Sequence, residues 1–394
     1  MRRNRDNGAQ FALIVGLRLA EYDHVVVGAG GVGSAVAYYL SRTRGRTLVL
    51  ERFFENHAFG SSHGKTRLLR TAYSEGSTFV PLVLRARTLW KQLGREAGRE
   101  IFRPTGVLLA GPSASPELAR AKESARSNHL PYEMLDGTEA GHRFPAFRFD
   151  RRDAVVWDPG GGVLFPERAI HEFGRGARRR GTHFRWNSPV VRWKARPDGR
   201  VLLTTPRRDY VADRVVFSAG AWLATLVPEL QLPLDVEQQS VYWFVPTDSD
   251  RRVYRRMPGF VWYQGEGEYF YGTPDFGDGV KVGGSRGRVV RDLSRRPPTS
   301  ERETRAVRGF VRNRMIGIST APVRQVRCLY TNTPDRNFIV AVHPDHSSIV
   351  LVSACSGHGF KFTSAIGELV AQAISSGWPS SLAPFQLPAP GRPQ

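Results

Sequence analysis

Apolar positions near the start of the chain come in two short unbroken runs with a small-residue segment between them. Val25-Val-Val27 leads into Gly28-Ala-Gly30-Gly-Val-Gly33, then a mixed apolar stretch, then Thr47-Leu-Val-Leu50 and Glu51. Continuous β-branched residues predict a parallel strand buried on both faces. The glycines predict a tight turn feeding a helix over about 31–44, and residues 47–50 a second strand. In the G-x-G-x-x-G pattern, the first glycine permits the turn and the second lets backbone approach a pyrophosphate. The third lets helix pack close on strand, and the helix N-terminus faces the phosphates. Glu51 ends the second strand, where a carboxylate accepts from both ribose hydroxyls and repels a 2′-phosphate. The pattern therefore predicts FAD or NAD rather than NADP, without choosing between them.

Farther on, helical periodicity predicts an amphipathic helix over 79–98 with Leu82, Leu84, Leu89, Trp90 and Leu93 inside. Arg103–Ala110 predicts a strand, 116–128 a surface helix, and Pro166 opens a helix to about 176. Arg67 and Arg70 share a face if that segment is helical. Residues 182–222 return to strands, ending at Ala219-Gly220, a turn able to pass close to a cofactor. Residues 235–290 are strand-rich and aromatic, which predicts a mixed or antiparallel sheet with period 2. A helix over 295–315, strands at 337–341 and 349–353, and a helix over 363–375 complete the pattern. The Pro-rich segment 379–394 predicts disorder.

Composition changes this picture little. The chain has 394 residues, 41% hydrophobic, enough for two domains. No apolar run approaches the roughly 18 residues of a membrane helix. Met1–Ala20 faintly resembles a leader, but an extension is the expected reading, and a cytoplasmic protein with it. Net charge is +21, carried almost entirely by Arg, with six lysines. A solvated surface explains the charge, and the absence of zinc spacing or stacking aromatics argues against a nucleic-acid partner. Two cysteines, Cys328 and Cys355, exclude a disulfide scaffold and a metal site.

Five segments bear a resemblance to the monomeric sarcosine oxidase and N-methyltryptophan oxidase family of flavoprotein amine oxidases. They are Val25–Gly33, Gly60-Ser-Ser-His-Gly-Lys-Thr-Arg-Leu-Leu-Arg70, Gly161–Phe165, Arg327-Cys-Leu-Tyr-Thr331 and Ser356-Gly-His-Gly-Phe-Lys-Phe362. The resemblance chooses FAD over NAD. It implies an α/β (α+β) fold: a discontinuous Rossmann-like FAD-binding domain (22–95, 150–225, 318–385) and a substrate domain on a mixed or antiparallel sheet (96–149, 226–317). Residues 1–21 and 386–394 are expected as tails.

It further implies a covalent bond from the flavin 8α-methyl to Cys328, which needs a thiolate and nearby positive charge; Cys355 is expected in the core. Arg70 and Lys361 would hold the substrate carboxylate, Arg67 would lie near the flavin, and Tyr271 would line the substrate pocket. Lys281 would activate oxygen, since superoxide forms first as an anion and a fixed ammonium lowers that barrier. The expected cofactor contacts are Gly28, Gly30, Gly33, Glu51, Ser61, His63, Thr66, Arg67, Val190, Gly220, Cys328, Gly357, Gly359, Phe360 and Lys361. Ser285 stands where sarcosine oxidases carry a histidine, so the substrate is expected to be a secondary α-amino acid other than sarcosine as readily as sarcosine itself. The expected reaction passes a hydride to flavin N5, giving an imine and, with O2, hydrogen peroxide. Its partners are a small amino or imino acid and O2, with no metal and no membrane, in a monomer. A dehydrogenase with a protein or quinone acceptor, or a basic anion- or RNA-binding flavoprotein, is the alternative.

Overall fold

The computed structural model describes residues 19–265 and 267–387. The expectations for the leader-like segment fall almost wholly outside these residues. The buried strand read first runs from Ala20 to Val27 and lies between two parallel neighbours, Asp209–Phe217 and Thr47–Leu50. The eight-stranded sheet runs Arg192–Ala195, Val201–Thr204, Asp209–Phe217, Ala20–Val27, Thr47–Leu50, His183–Arg185, with His346–Ser353 joined to Asp209–Phe217 and Ile339–His343 beyond it. Alternate residues serve opposite faces, as the strand period requires. Val26, Val49, Val216 and Val350 face one core, built with helices Gly31–Leu40, Val80–Ala97, Pro166–Arg179 and Thr363–Ser376. Val25, Leu48, Val215 and Ile349 face another.

The first helix stops at Leu40, short of the expected 44. Ser41 and Thr43 hydroxyls bond back to the carbonyls of Tyr38 and Leu40 at 2.7 and 2.8 Å, which favours a turn over further helix. The helix expected from residue 295 begins at Glu301, because Pro297-Pro298 disfavour it and Ser300 caps Arg302 N–H at 3.2 Å.

A nine-stranded sheet carries the aromatic region. Its order is Arg288–Val289, Asp235–Phe244, Val280–Gly284, Glu268–Thr273, Gly259–Gly265, Val107–Pro112, Asp153–Asp158, Glu133–Asp136, with Arg324–Asn332 paired along Asp235–Phe244. Phe244, Phe260, Trp262 and Phe270 pack against Val307, Phe310 and Val311 of the helix Glu301–Arg314. Tyr263, Tyr269 and Tyr271 face the other way. The period-2 reading of these strands therefore separates core from site. Strands Asp153–Asp158 and Arg324–Asn332 belong to this second sheet, although the expected division assigns 150–225 and 318–385 to the dinucleotide-binding part.

One open condition is settled and one expectation is corrected. Arg67–Leu69 is a strand, paired with Gly162–Leu164 in a three-stranded sheet, so the condition for a shared helical face of Arg67 and Arg70 is not met. Over Ser380–Phe385 the expected disordered tail forms a short 3₁₀ turn. Leu382 and Phe385 are buried there, Phe385 at 5.5 Å between ring centroids from Phe338, because apolar cover outweighs the proline content. No helix among the described residues is long and apolar enough to cross a membrane.

Candidate active site

One cavity of about 970 Å³ lies between the two large sheets. It is lined by Gly28, Gly30, Glu51, Ser61, His63, Thr66, Arg67, Arg70, Val190, Gly220, Tyr271, Lys281, Cys328, Gly357, Gly359, Phe360 and Lys361. Of the residues expected from the sequence only Gly33 stands back. A Cβ on Gly33 would sit 1.8 Å from the carbonyl oxygen of Gly28, so its glycine serves the close approach of helix to turn. Gly28 itself has φ 99, open to glycine and strained for other residues. Ser62 Oγ accepts from Gly31 N–H at 3.1 Å. Glu51 accepts from Ala29 N–H at 2.7 Å and Phe53 N–H at 2.9 Å, so it braces the glycine turn as well as ending its strand.

At the other end lies Cys328, central in Arg324–Asn332 and opposite Gln239. His63 Nε2 is 3.6 Å from its Sγ and 2.9 Å from the carbonyl oxygen of Arg327. Burial pushes the thiol up, but the hydrogen bond from His63 and the charges of His63, Arg67 and Lys281 outweigh it and bring it to about 7. Arg67 curls back onto its own loop, donating to Ser61, His63 (2.7 Å) and Thr66 (2.8 Å) carbonyls. Its charge is held despite burial by the neighbouring Cys328, Tyr330 and Tyr271. Lys281 Nζ donates to the carbonyls of Gly64 at 3.0 Å and Thr66 at 2.6 Å. Burial and Arg67 together bring this lysine down to about 7. Tyr271 hydrogen-bonds to Tyr330 at 3.0 Å, and both line the cavity.

Arg70 comes from just beyond the strand Arg67–Leu69 and is buried at 7% exposure. It donates to Ser74 Oγ at 3.2 Å and to the Glu75 carboxylate, and Tyr263 OH lies 3.4 Å away. Burial opposes charge on both partners, yet Arg70 holds the Glu75 carboxyl well below the usual carboxylate range. Lys361 Nζ donates to Tyr73 OH at 3.2 Å and the His358 carbonyl at 2.7 Å. Burial and Arg70 lower its pKa well below that of a free lysine. Arg70 Cζ and Lys361 Nζ each lie 5.1 Å from the ring centroid of Tyr73, so both basic side chains lie against one phenol.

The sequence reading missed Tyr73, Glu75 and Glu167. Glu167 accepts from Gly64 N–H at 2.8 Å and Lys65 N–H at 2.9 Å, from a helix about 100 residues away. No spacing rule reaches across that gap, whereas Glu75 lies five residues after Arg70 and could have been suspected as its counter-charge. Cys355, expected in the core, is only partly buried and lines the cavity. Ser285 also lines it, its hydroxyl accepting from Tyr269 N–H at 3.1 Å.

The donors and spaces fit a dinucleotide flavin. His63 Nδ1, Thr331 Oγ1, Gln239 Oε1 and Ser353 Oγ are buried at this cavity without a partner among the described residues, so a polar ligand would satisfy them. Among the same residues no cluster of His, Cys, Asp or Glu could hold a metal ion.

Comparison with known proteins agrees with this geometry. The family model described as "FAD dependent oxidoreductase" matches residues 23–373. The chain is 35% identical over 366 residues to a monomeric sarcosine oxidase of Bacillus sp. (strain B-0618), covering 90% of this chain and 93% of that one. It is 35% identical over 371 residues to an N-methyl-L-tryptophan oxidase of Salmonella heidelberg, covering 93% and 98%. The crystal structure of NikD, described as an unusual amino acid oxidase essential for nikkomycin biosynthesis, superposes with TM-score 0.82 at 23% identity, covering 93% and 97%. An L-proline dehydrogenase from P. horikoshii superposes with TM-score 0.79 at 20% identity, covering 92% and 95%. At those identities the two structures speak for the fold.

Proposed function

Because the chain belongs to the FAD dependent oxidoreductase family, we propose that it oxidises a secondary α-amino acid, N-methylated or cyclic, with oxygen as acceptor. The observation that carries this reading is the pair Arg70 and Lys361, both on the cavity wall and both against the buried ring of Tyr73. Arginine's planar fork suits both oxygens of a carboxylate, and the lysine adds a point charge. Bound FAD supplies the two-electron acceptor that takes the amine to the imine and returns the electrons to oxygen as hydrogen peroxide.

The glycine turn, Ser62 and Glu51 would hold the dinucleotide, and Cys328 would tether it as a thioether, the thiol giving up its proton and the 8α-methyl a C–H, with the two electrons released going to the flavin and on to oxygen. Only a neutral amine can be oxidised, and an amine of pKa about 10 costs about 4 kcal/mol to deprotonate at pH 7. The permanent charges of Arg67 and Arg70 lower that cost by repulsion while they draw in the carboxylate. The two lysines are less reliable cations than the sequence suggested, because both lose protons readily where they lie. An anionic ligand raises their affinity for protons, so substrate and site charge each other. Ser285 leaves room where sarcosine oxidases carry a histidine, which favours substrates bulkier than sarcosine. The relatives named for N-methyl-L-tryptophan and for sarcosine bracket that size range.

Anaerobic mixing of the yellow protein with sarcosine, N-methyltryptophan, proline, pipecolate and dehydropipecolate tests the proposal. At least one should bleach the flavin, and admitted air should restore the colour with peroxide. Failure of every compound rejects the amino acid reading. Lys281 favours a second reading: at about 7 it is part-neutral in the ligand-free protein, and an enzyme poor in that cation would pass electrons to a protein or quinone instead. Bleaching followed by slow recolouring in air identifies that case.

A further inference from the structure

We propose that His358, acting through Tyr73, is a positioning residue that orients Lys361 Nζ for the substrate carboxylate. The inference rests on the carboxylate seat proposed above and goes beyond it to the groups behind the seat. His358 Nε2 lies 2.9 Å from the backbone carbonyl of Arg336, an atom that can only accept. The ring proton of His358 therefore sits on Nε2, and Nδ1 is left as an acceptor. Tyr73 OH is 2.7 Å from that Nδ1 and so donates to it. The lone pairs of the Tyr73 oxygen remain, and Lys361 Nζ donates to them at 3.2 Å. Every proton in the chain Lys361, Tyr73, His358, Arg336 has one direction, fixed by a single carbonyl.

The surroundings hold this order. The rings of Tyr73, Phe79, Phe338 and Phe362 lie within 6.3 Å of the His358 ring and pack around it. Burial, with Lys361 and Arg70 opposed by Glu75, takes His358 down to about 4, so it stays neutral in ordinary buffers. Arg336 holds a left-handed φ of 59, a backbone cost that persists only where the surroundings demand it. A phenol that donates its proton presents a more negative oxygen to the next donor. That oxygen, the His358 carbonyl and Glu75 are the groups favouring charge on Lys361, against burial and Arg70. An ammonium has three N–H bonds. Two are spoken for, and the third is free for a substrate oxygen.

The test uses holoenzyme and the amino acid that bleaches it best. His358→Leu and Tyr73→Phe should each weaken its binding about tenfold, the scale of one hydrogen bond to a charged group. Both should move the high-pH limb of binding downward by about one unit. The limiting rate of anaerobic flavin reduction should change by less than about threefold, since the group acts on binding. His358→Gln keeps an acceptor and a donor and should restore both affinity and pH limb. A His358→Leu enzyme that binds as wild type, or a His358→Gln enzyme as damaged as His358→Leu, overturns the proposal. A second readout needs no substrate. In 15N-histidine-labelled wild type, one ring absent from His358→Gln should show the Nε2–H tautomer and not titrate from about pH 5 to 8. An Nδ1–H tautomer, or titration of that ring near pH 6.5, overturns the chain by itself. Should the signature be present while no amino acid bleaches wild type, the oxidase reading falls and the carboxylate role with it, the hydrogen-bond chain standing.

Discussion

Cys328 Sγ and His63 Nε2 lie 3.6 Å apart, on a strand and a loop 265 residues apart in sequence, inside a pocket that also holds Arg67 and Lys281. With the thiol brought to about 7, thiolate grows as pH rises through neutrality. Tethering of added FAD to apoprotein should therefore speed up from pH 6 to 8, on about a unit either side of that midpoint, and then level off. His63→Asn removes the hydrogen bond and should move the plateau to higher pH. Cys328→Ser should yield a protein whose colour all leaves with acid. Acid-precipitable flavin measured against time and pH decides the matter, and a tethering rate that does not vary with pH would count against the thiolate.

Arg70 already holds a carboxylate, that of Glu75, in the ligand-free protein. Glu75→Gln removes the internal competitor and should lower the KM for amino acid substrates while leaving kcat close to wild type. Arg70→Gln should raise KM about tenfold to a hundredfold, from a charged hydrogen bond worth about 1.5–3 kcal/mol. Steady-state kinetics on both variants read this, and a Glu75→Gln enzyme with a raised KM would place Glu75 on the substrate side of the pair.

Lys281 is buried at 2% exposure with its affinity for protons lowered to about 7. Its cation is present below that value and lost above it. The oxygen reaction of reduced enzyme should thus decline as pH rises from neutrality, and anionic ligands should move the decline upward. Lys281→Met should be slow at every pH, with flavin reduction far less affected. Stopped-flow reoxidation of prereduced protein separates the two steps, and equal losses in both would remove Lys281 from its proposed role.

Gly283 lies under the ring of Tyr271, where an added Cβ would come within 2.7 Å of the phenol carbon and oxygen. Gly283→Ala should displace that ring, break its 3.0 Å bond to Tyr330, and change substrate preference more than thermal stability. The thermal midpoint and the ratio of kcat/KM for a large and a small amino acid check this. Unfolding without a specificity change would show the glycine to be structural alone.

Much of this was legible in the sequence because it is local. The turn at Gly28 to Gly33 carries strand, glycine and helix signals in one window, and the helix at Val80–Ala97 has a clear apolar stripe. Period 2 in the aromatic strands announced a sheet, while Tyr271 entered the site only through the family resemblance. What was missed depends on distant partners. The sequence left the conformation of Arg67–Leu69 open, and it becomes a strand because Gly162–Leu164 offers it hydrogen bonds. Glu167 reaches the Gly64 loop only after folding, and the turn at Ser380–Phe385 orders because Phe338 needs cover.

The strand Arg324–Asn332 pairs with Asp235–Phe244 over nine residues, and Val280–Gly284 pairs on the opposite edge of Asp235–Phe244. Cys328, Tyr330 and Lys281 are thereby set on a common lattice whose spacing the backbone dictates. Ser285 and Arg286 lie just past the last rung, with Gly267 and Glu268 at the neighbouring hairpin, and all four reach the cavity. Evolution, or a laboratory selection, can rewrite those rim positions to admit new amino acids without disturbing the fixed chemistry beneath.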